Sequence, residues 1–181
     1  MNSNQNSRKT SFVLGGARSG KSLHAETLAK TQYTASGQLV YLATAQIFDE
    51  EMQARIDLHK QRRGPEWVLA EAPVDLVDTL RRFEHPDNVI LIDCLSVWMT
   101  NLIIGKHGIA AHRDSLIAHL AISISSLIFV ASETGLGIVP DNRLSRRFRD
   151  ANGRLNQALA ADAHEVFFVV AGIASKIKTS A

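Results

Sequence analysis

Residues 11–26 read SFVLGGARSGKSLHAE, and this stretch decides the fold. A short apolar run from Ser11 to Leu14 enters a glycine-rich turn, in which Gly15, Gly20, Lys21 and Ser22 take the spacing G-x-x-x-x-G-K-S. Glycine has no Cβ, so the backbone N–H groups of such a turn can close on phosphate oxygens. A helix starting there turns the positive end of its dipole toward the same anion. In that geometry Gly15, Gly16, Ala17, Arg18, Ser19 and Gly20 form a phosphate cradle. Lys21 reaches the β- and γ-phosphates, and the Ser22 hydroxyl coordinates Mg²⁺. The alternative is a glycine-rich turn with an exposed lysine; a strand before the turn and a helix after it favour the cradle.

Outward from this stretch, short apolar runs alternate with helix-forming segments. Strands are expected at Ser11–Leu14, Gln38–Ala43, Val89–Asp93, Leu127–Ser132 and Glu165–Val170, with a weaker one at Trp67–Ala70. Their apolar residues are contiguous rather than alternating, as in parallel strands buried on both faces. Helices are expected at Lys21–Thr31, Asp49–Arg62, Pro73–Phe83, Leu95–Ile104, His112–Ser125 and Asn142–Ala161, with a loop over Gly105–His112. Such alternation predicts a doubly covered α/β fold with a mostly parallel sheet. With the phosphate loop on its first strand, this is the P-loop NTPase arrangement, RecA-like, in a single domain over residues 11–181.

The composition bounds the rest. A chain of 181 residues suffices for one domain with a proper core. Its 45% hydrophobic and 21% charged content argues against disorder. A net charge of +2 is too weak to argue for nucleic acid. The single cysteine, Cys94, excludes an internal disulfide framework and fits a reducing cytoplasm. The polar start MNSNQNSRKT (residues 1–10) lacks the apolar core of a secretion signal and reads as a flexible leader. The most apolar segment, LIAHLAISISSLIFVAS from Leu116, contains His119 and four serines and falls short of the roughly 20 apolar residues of a membrane span. It reads as a helix followed by a strand, with no stable membrane insertion.

A second acidic residue should hold the magnesium from the end of a neighbouring strand. NVILIDC, residues 88–94, supplies Asp93 after four apolar residues. The segment VYLATAQIFDEEMQARIDLHKQRRGPEW follows a different logic: a strand ends at ATAQ, and a helix then carries Glu51, Arg55 and His59 at intervals of four along one face. On its own that face reads more readily as a salt-bridged solvent surface with an incidental histidine.

These stretches resemble a known family. GGARSGKS from Gly15, YLATAQ from Tyr41, DEEMQARIDLHKQRR from Asp49, LIDCLSVWMTNL from Leu91, ETGLGIVPDNRLSRRFRDANGRLNQALA from Glu133 and EVFFVVAGIASKIK from Glu165 are similar to the bifunctional cobinamide kinase/cobinamide-phosphate guanylyltransferases of cobalamin biosynthesis. The resemblance implies two reactions. The γ-phosphate of ATP or GTP passes to the aminopropanol hydroxyl of adenosylcobinamide, and GMP from GTP then passes to that phosphate. It also implies a histidine-bound GMP intermediate on the second helix, which lands on His59, the one histidine there. By the same resemblance Thr44, Ala45, Gln46, Lys60, Gln61, Arg62, Arg63 and Glu71 line the guanine nucleotide site, and the protein forms trimers with sites between subunits. A carboxylate at Glu71 suits the N1–H and N2–H₂ donors of guanine, which adenine lacks.

Other residues divide between roles. Glu133 follows a strand, and Asp141 or Asn142 is expected to cap the next helix. Arg143, Arg146 and Arg147 meet a phosphate or form a solvated basic face. Where the family usually reads Asn-Glu-Val-Gly, this chain has Ser132, Glu133, Thr134 and Gly135. Cys94, Trp98 and Met99 read as packing residues, and His24 as a helix-face residue or part of the family pattern. His85, His107, His112, His119 and His164 lack metal-ligand spacing. Two rival functions stand beside the bifunctional enzyme: a plain small-molecule kinase without a covalent histidine, and a nucleotide-gated switch.

Overall fold

The computed structural model describes residues 8–45 and 64–179. Among these, seven strands form one sheet in the order β3-β2-β4-β5-β1-β6-β7. They are β1 (Thr10–Gly15), β2 (Leu39–Ala43), β3 (Trp67–Glu71), β4 (Val89–Asp93), β5 (Ser126–Ser132), β6 (Glu165–Val170) and β7 (Ile173–Thr179). The first six run parallel, and β7 pairs antiparallel with β6. The helices described with them are α1 (Lys21–Gln32), α2 (Leu76–Arg82), α3 (Leu95–Ile104), α4 (Ile109–Ile122) and α5 (Arg143–Asp162).

The contiguous apolar runs follow from burial on both faces. Successive side chains of a strand point to opposite sides, so Phe12, Val40, Ile90 and Phe129 enter one core while their neighbours Val13, Tyr41, Leu91 and Ile128 enter the other. Leu76 and Leu80 of α2, Trp98 and Met99 of α3, Leu116 and Leu120 of α4, and Leu155 and Leu159 of α5 complete the first core. Among the described residues α1 contributes Ala25 and Ala29 to the second. Trp98 and Met99 are thus packing residues, and the Trp98 indole donates to Val74 O at 2.8 Å.

Register brings the carboxyl ends of the parallel strands to one edge. Gly15 lies opposite Ser132, and Ala43 lies opposite both Glu71 and Asp93. The loops that follow these residues share that edge, where open α/β sheets bind ligands.

Several boundaries differ from the sequence expectation. β7 is not among the expected strands: IASKIKT is an exposed edge strand carrying two lysines, so it lacks the apolar run that marks a buried strand. Ala171 and Gly172, with φ of 51° and 80°, form the two-residue turn that joins it to β6. α2 spans Leu76–Arg82 rather than starting at Pro73: Val74 O accepts from Leu76 N at 2.9 Å and from the Trp98 indole at 2.8 Å, and the first helical i to i+4 bond runs from Thr79 N to Asp75 O at 3.1 Å. α4 starts at Ile109 and ends at Ile122, which shortens the expected loop to Gly105–Gly108. Asn142, not Asp141, caps α5, its Oδ1 accepting from Ser145 N at 2.8 Å. The expected helix at Asp49–Arg62 lies outside the described residues. Among the described residues no helix is long and apolar enough to cross a membrane.

Candidate active site

The phosphate loop is built by close approach. A Cβ on Gly15 would stand 2.5 Å from Val169 O and 2.6 Å from Ser19 Oγ, so that position admits only glycine without a shift of backbone. Gly20 has φ of 95°, a left-handed conformation that L side chains disfavour. The turn closes through Ser19 N donating to Gly16 O at 3.3 Å. From beneath, Gly172 N donates to Ser19 O at 2.8 Å, so the β6–β7 turn supports the loop. Lys21 Nζ folds back onto Gly16 O at 3.0 Å. The start of α1 has no side-chain cap and no acidic residue in its first turn, which leaves its N–H groups for an anion. Gly15 ends β1, Gly16, Ala17, Arg18, Ser19 and Gly20 form the turn, and Lys21 and Ser22 open α1.

Asp93 ends β4 and accepts from Tyr41 Oη at 3.1 Å through Oδ2. Its strand is not the immediate neighbour of β1, which corrects the sequence expectation: β5 lies between them. Two strand spacings, about 10 Å, thus separate Asp93 from the loop strand. A triphosphate lying over the end of β5 can bridge that gap. Ser22 and Asp93 offer the hard oxygen donors that Mg²⁺ takes, and phosphate oxygens with water would complete an octahedral set. Among the described residues no three His, Cys, Asp or Glu side chains converge on a metal position.

The end of β2 is tied to β4. Thr44 Oγ1 donates to Cys94 O at 2.7 Å and accepts from Cys94 N at 3.0 Å, while Thr44 O accepts from buried Asn101 at 2.8 Å. The Thr44 hydroxyl is committed to this strut, so Thr44 shapes the edge rather than offering its side chain to it. Burial, followed by the negative charge of Asp93, pushes the Cys94 thiol up to about 11, which fits a packing role rather than a nucleophile. Ala45 is half-buried just beyond. Glu71 is exposed at the end of β3, four strand positions from β1, or roughly 19 Å. It is not brought to the loop. His59, Gln46, Lys60, Gln61, Arg62 and Arg63 lie outside the described residues.

One feature of the edge escapes the sequence reading. Ser132, at the end of β5, is gripped by side chains. Its N–H donates to Ser96 Oγ at 2.8 Å, and its carbonyl accepts from Asn152 Nδ2 at 2.8 Å and Asn156 Nδ2 at 3.4 Å. Ser96 Oγ also donates to Asn152 Oδ1 at 3.1 Å. All three side chains are buried, and they join α3 and α5 to this one residue. The signal was present in two asparagines four apart on the inner face of α5. Glu133 follows directly, its N–H donating to Gly15 O at 3.0 Å and its Oε1 accepting from Gly135 N. Arg146 turns inward to Pro140 O and Asp141 O at 2.9 and 2.6 Å, while Arg143 and Arg147 are exposed. The His24 ring packs on Phe167 at 4.8 Å, and burial lowers its pKa against the opposing pull of Glu165.

Comparison with known proteins fits this architecture. The chain matches the family model for cobinamide kinase / cobinamide phosphate guanyltransferase over residues 11–177. It is 42% identical over 182 residues to the bifunctional adenosylcobalamin biosynthesis protein CobU of Escherichia coli (strain K12), covering 92% of this chain and 98% of that one. Identity is 43% over 170 residues with the bifunctional adenosylcobalamin biosynthesis protein CobP of Pseudomonas aeruginosa, at 92% and 96% coverage. Among solved structures, the flagellar accessory protein FlaH from Methanocaldococcus jannaschii has a TM-score of 0.53 at 13% identity, covering 95% of this chain and 79% of that one. A solved ATPase domain has a TM-score of 0.51 at 10% identity, covering 89% and 69%. These two likenesses speak for the fold alone, a P-loop ATPase sheet. The family match extends from the first residues of β1 into β7, and on that ground the chain belongs to the cobinamide kinase / cobinamide phosphate guanyltransferase family.

Proposed function

We propose that the chain carries out both transfers for which its family is named. In the first, the γ-phosphoryl group of ATP or GTP passes to the aminopropanol hydroxyl of adenosylcobinamide. In the second, GMP from GTP passes to the phosphate so made, giving adenosylcobinamide-GDP and pyrophosphate. The observation that carries this reading is the built phosphate loop, with Gly15, Gly20 and Lys21 in a braced cradle.

The loop N–H groups and the start of α1 bind the triphosphate, and Lys21 Nζ exchanges Gly16 O for a phosphate oxygen. Charge that builds on the leaving group is then met by an ammonium already in place. Ser22 and Asp93 are the residues that would hold Mg²⁺, whose charge offsets that of the phosphates. We assign the nucleotidyl step to His59 on the strength of the sequence resemblance. A neutral imidazole nitrogen attacks the α-phosphorus, the bond to the bridging oxygen breaks and pyrophosphate leaves; a phosphate oxygen of the acceptor then displaces the histidine. Ala45, Gln46, Lys60, Gln61, Arg62, Arg63 and Glu71 line the guanine side in this reading, with Thr44 acting through its strut.

By the same resemblance the working form is a homotrimer that acts on a small molecule, while the single cysteine and the net charge of +2 favour a cytoplasmic protein that does not act on nucleic acid. Leu136 and Ile138, 82% and 96% exposed in the loop after β5, offer apolar surface to a neighbouring subunit. The test is chemical. Incubation with α-labelled GTP should leave acid-labile, base-stable label on the protein, lost in His59→Ala. Mass spectrometry should find both cobinamide products, and Lys21→Ala should lose the phosphorylated one. An unlabelled wild-type protein that still phosphorylates cobinamide reduces the reading to a plain kinase.

A further inference from the structure

The kinase step needs a group to accept the proton of the attacking hydroxyl, and we infer that Glu133 is that general base. This rests on the kinase reading above. Among the described residues three carboxylates end parallel strands or follow directly on them: Glu71, Asp93 and Glu133. Glu71 lies at the far edge of the sheet, on β3. Asp93 is bonded by Tyr41 and sits beyond β5. Of the strands that flank β1, β6 runs into the Ala171–Gly172 turn, which has no ionisable group, and β5 is followed directly by Glu133. Glu133 is therefore the carboxylate on the strand beside the phosphate loop, and its own N–H is bonded to the first glycine of that loop at 3.0 Å.

The surroundings fit a base better than a ligand of fixed aim. The clamp of Ser96, Asn152 and Asn156 fixes the backbone at Ser132, so the root of Glu133 is set. The head is half-exposed and accepts from Gly135 N in its own turn, a local bond that it can leave for an incoming hydroxyl. A base needs that combination: a fixed origin, hydrogen-bond reach and an open lone pair. In the step, a carboxylate oxygen of Glu133 takes the hydroxyl proton while the alcohol oxygen bonds to the γ-phosphorus. The bond from that phosphorus to the β,γ-bridging oxygen breaks, the nucleoside diphosphate leaves, and Glu133 returns the proton to water.

Glu133→Gln keeps size and shape and tests this directly. Phosphorylation of adenosylcobinamide with Mg·ATP should fall about 100-fold or more in kcat, with KM for ATP within about two-fold of wild type. Labelling by α-labelled GTP and the melting temperature should be unchanged, and Glu133→Asp should restore part of the rate. Phosphorylation by Glu133→Gln near the wild-type rate overturns the base. So does a joint loss of ATP binding, GMP labelling and thermal stability, which marks a structural residue. A wild-type protein that takes the label but phosphorylates nothing overturns the kinase reading itself, and the base with it.

Discussion

The ends of β4 and β5 lie side by side on the active edge, each bears a carboxylate, and they are held in opposite ways. At β4 the side chain is fixed: Tyr41 donates to Asp93 Oδ2 at 3.1 Å, and the Thr44 strut locks the next residue. At β5 the backbone is fixed instead: three buried polar side chains grip Ser132, and the Glu133 carboxylate is left to bond its own turn. A carboxylate that serves as a point charge gains from a fixed head. One that must collect and release a proton gains from a fixed root and a movable head. The two anchoring schemes divide these tasks between adjacent strands.

Breaking the β5 clamp has the largest expected effect. Asn152→Ala leaves the Ser132 carbonyl and the Ser96 hydroxyl short of partners in a buried place, and should cost about 3 kcal/mol in denaturant unfolding. An unchanged midpoint would mean that water replaces the asparagine and that no clamp exists.

The dryness of the β4 end comes next. The folded-state pKa of Cys94 stands at about 11 against an ordinary 9.0. Its contribution is whole below pH 9 and fades as the unfolded thiol ionises before the folded one. Stability should drop by about 1–2 kcal/mol between pH 9 and 10.5, and Cys94→Ala should remove that share of the slope. Parallel slopes in the two proteins would show the thiol to be wet.

Ser96→Ala sharpens the comparison at lower cost. It deletes the acceptor for Ser132 N but leaves Asn152 on the carbonyl, and about 1.5 kcal/mol should be lost. Tyr41→Phe is the mildest. Stability should change by less than about 1 kcal/mol, because Asp93 is half-exposed and water can take the hydroxyl's place. Phosphoryl transfer should still fall about five-fold, with a raised Mg²⁺ requirement in an activity titration. An equal fall in Asn152→Ala and Tyr41→Phe, without the stability difference, would erase the distinction between the two ends.

What the sequence discloses follows from what burial imposes on it. β4 and β6 are bounded by the same residues in sequence and structure, Val89–Asp93 and Glu165–Val170, because strands covered on both faces must be apolar throughout. The phosphate loop is legible for a different reason: close backbone approach at Gly15 and left-handed φ at Gly20 tolerate little but glycine. Strand order is not written in any local pattern. The position of Asp93, with β5 between it and the loop strand, emerges only from the assembled sheet. The clamp stays hidden since Asn152 and Asn156 pass for polar residues of a solvated helix until Ser132 is seen between them. β7 stays hidden because an edge strand facing water carries lysines where the buried strands carry valine and isoleucine.

The turn at Ala171–Gly172 ties the phosphate loop to residues translated well after it. β1 lies between β5 and β6, and Ser19 rests on Gly172. A nascent chain on the ribosome can therefore have GGARSGKS outside the exit tunnel before residues 165–172 exist to give that sequence a floor. Nucleotide capture then waits on β6 and its turn, and a prematurely terminated product that lacks residues 165–172 keeps the motif but loses its grip.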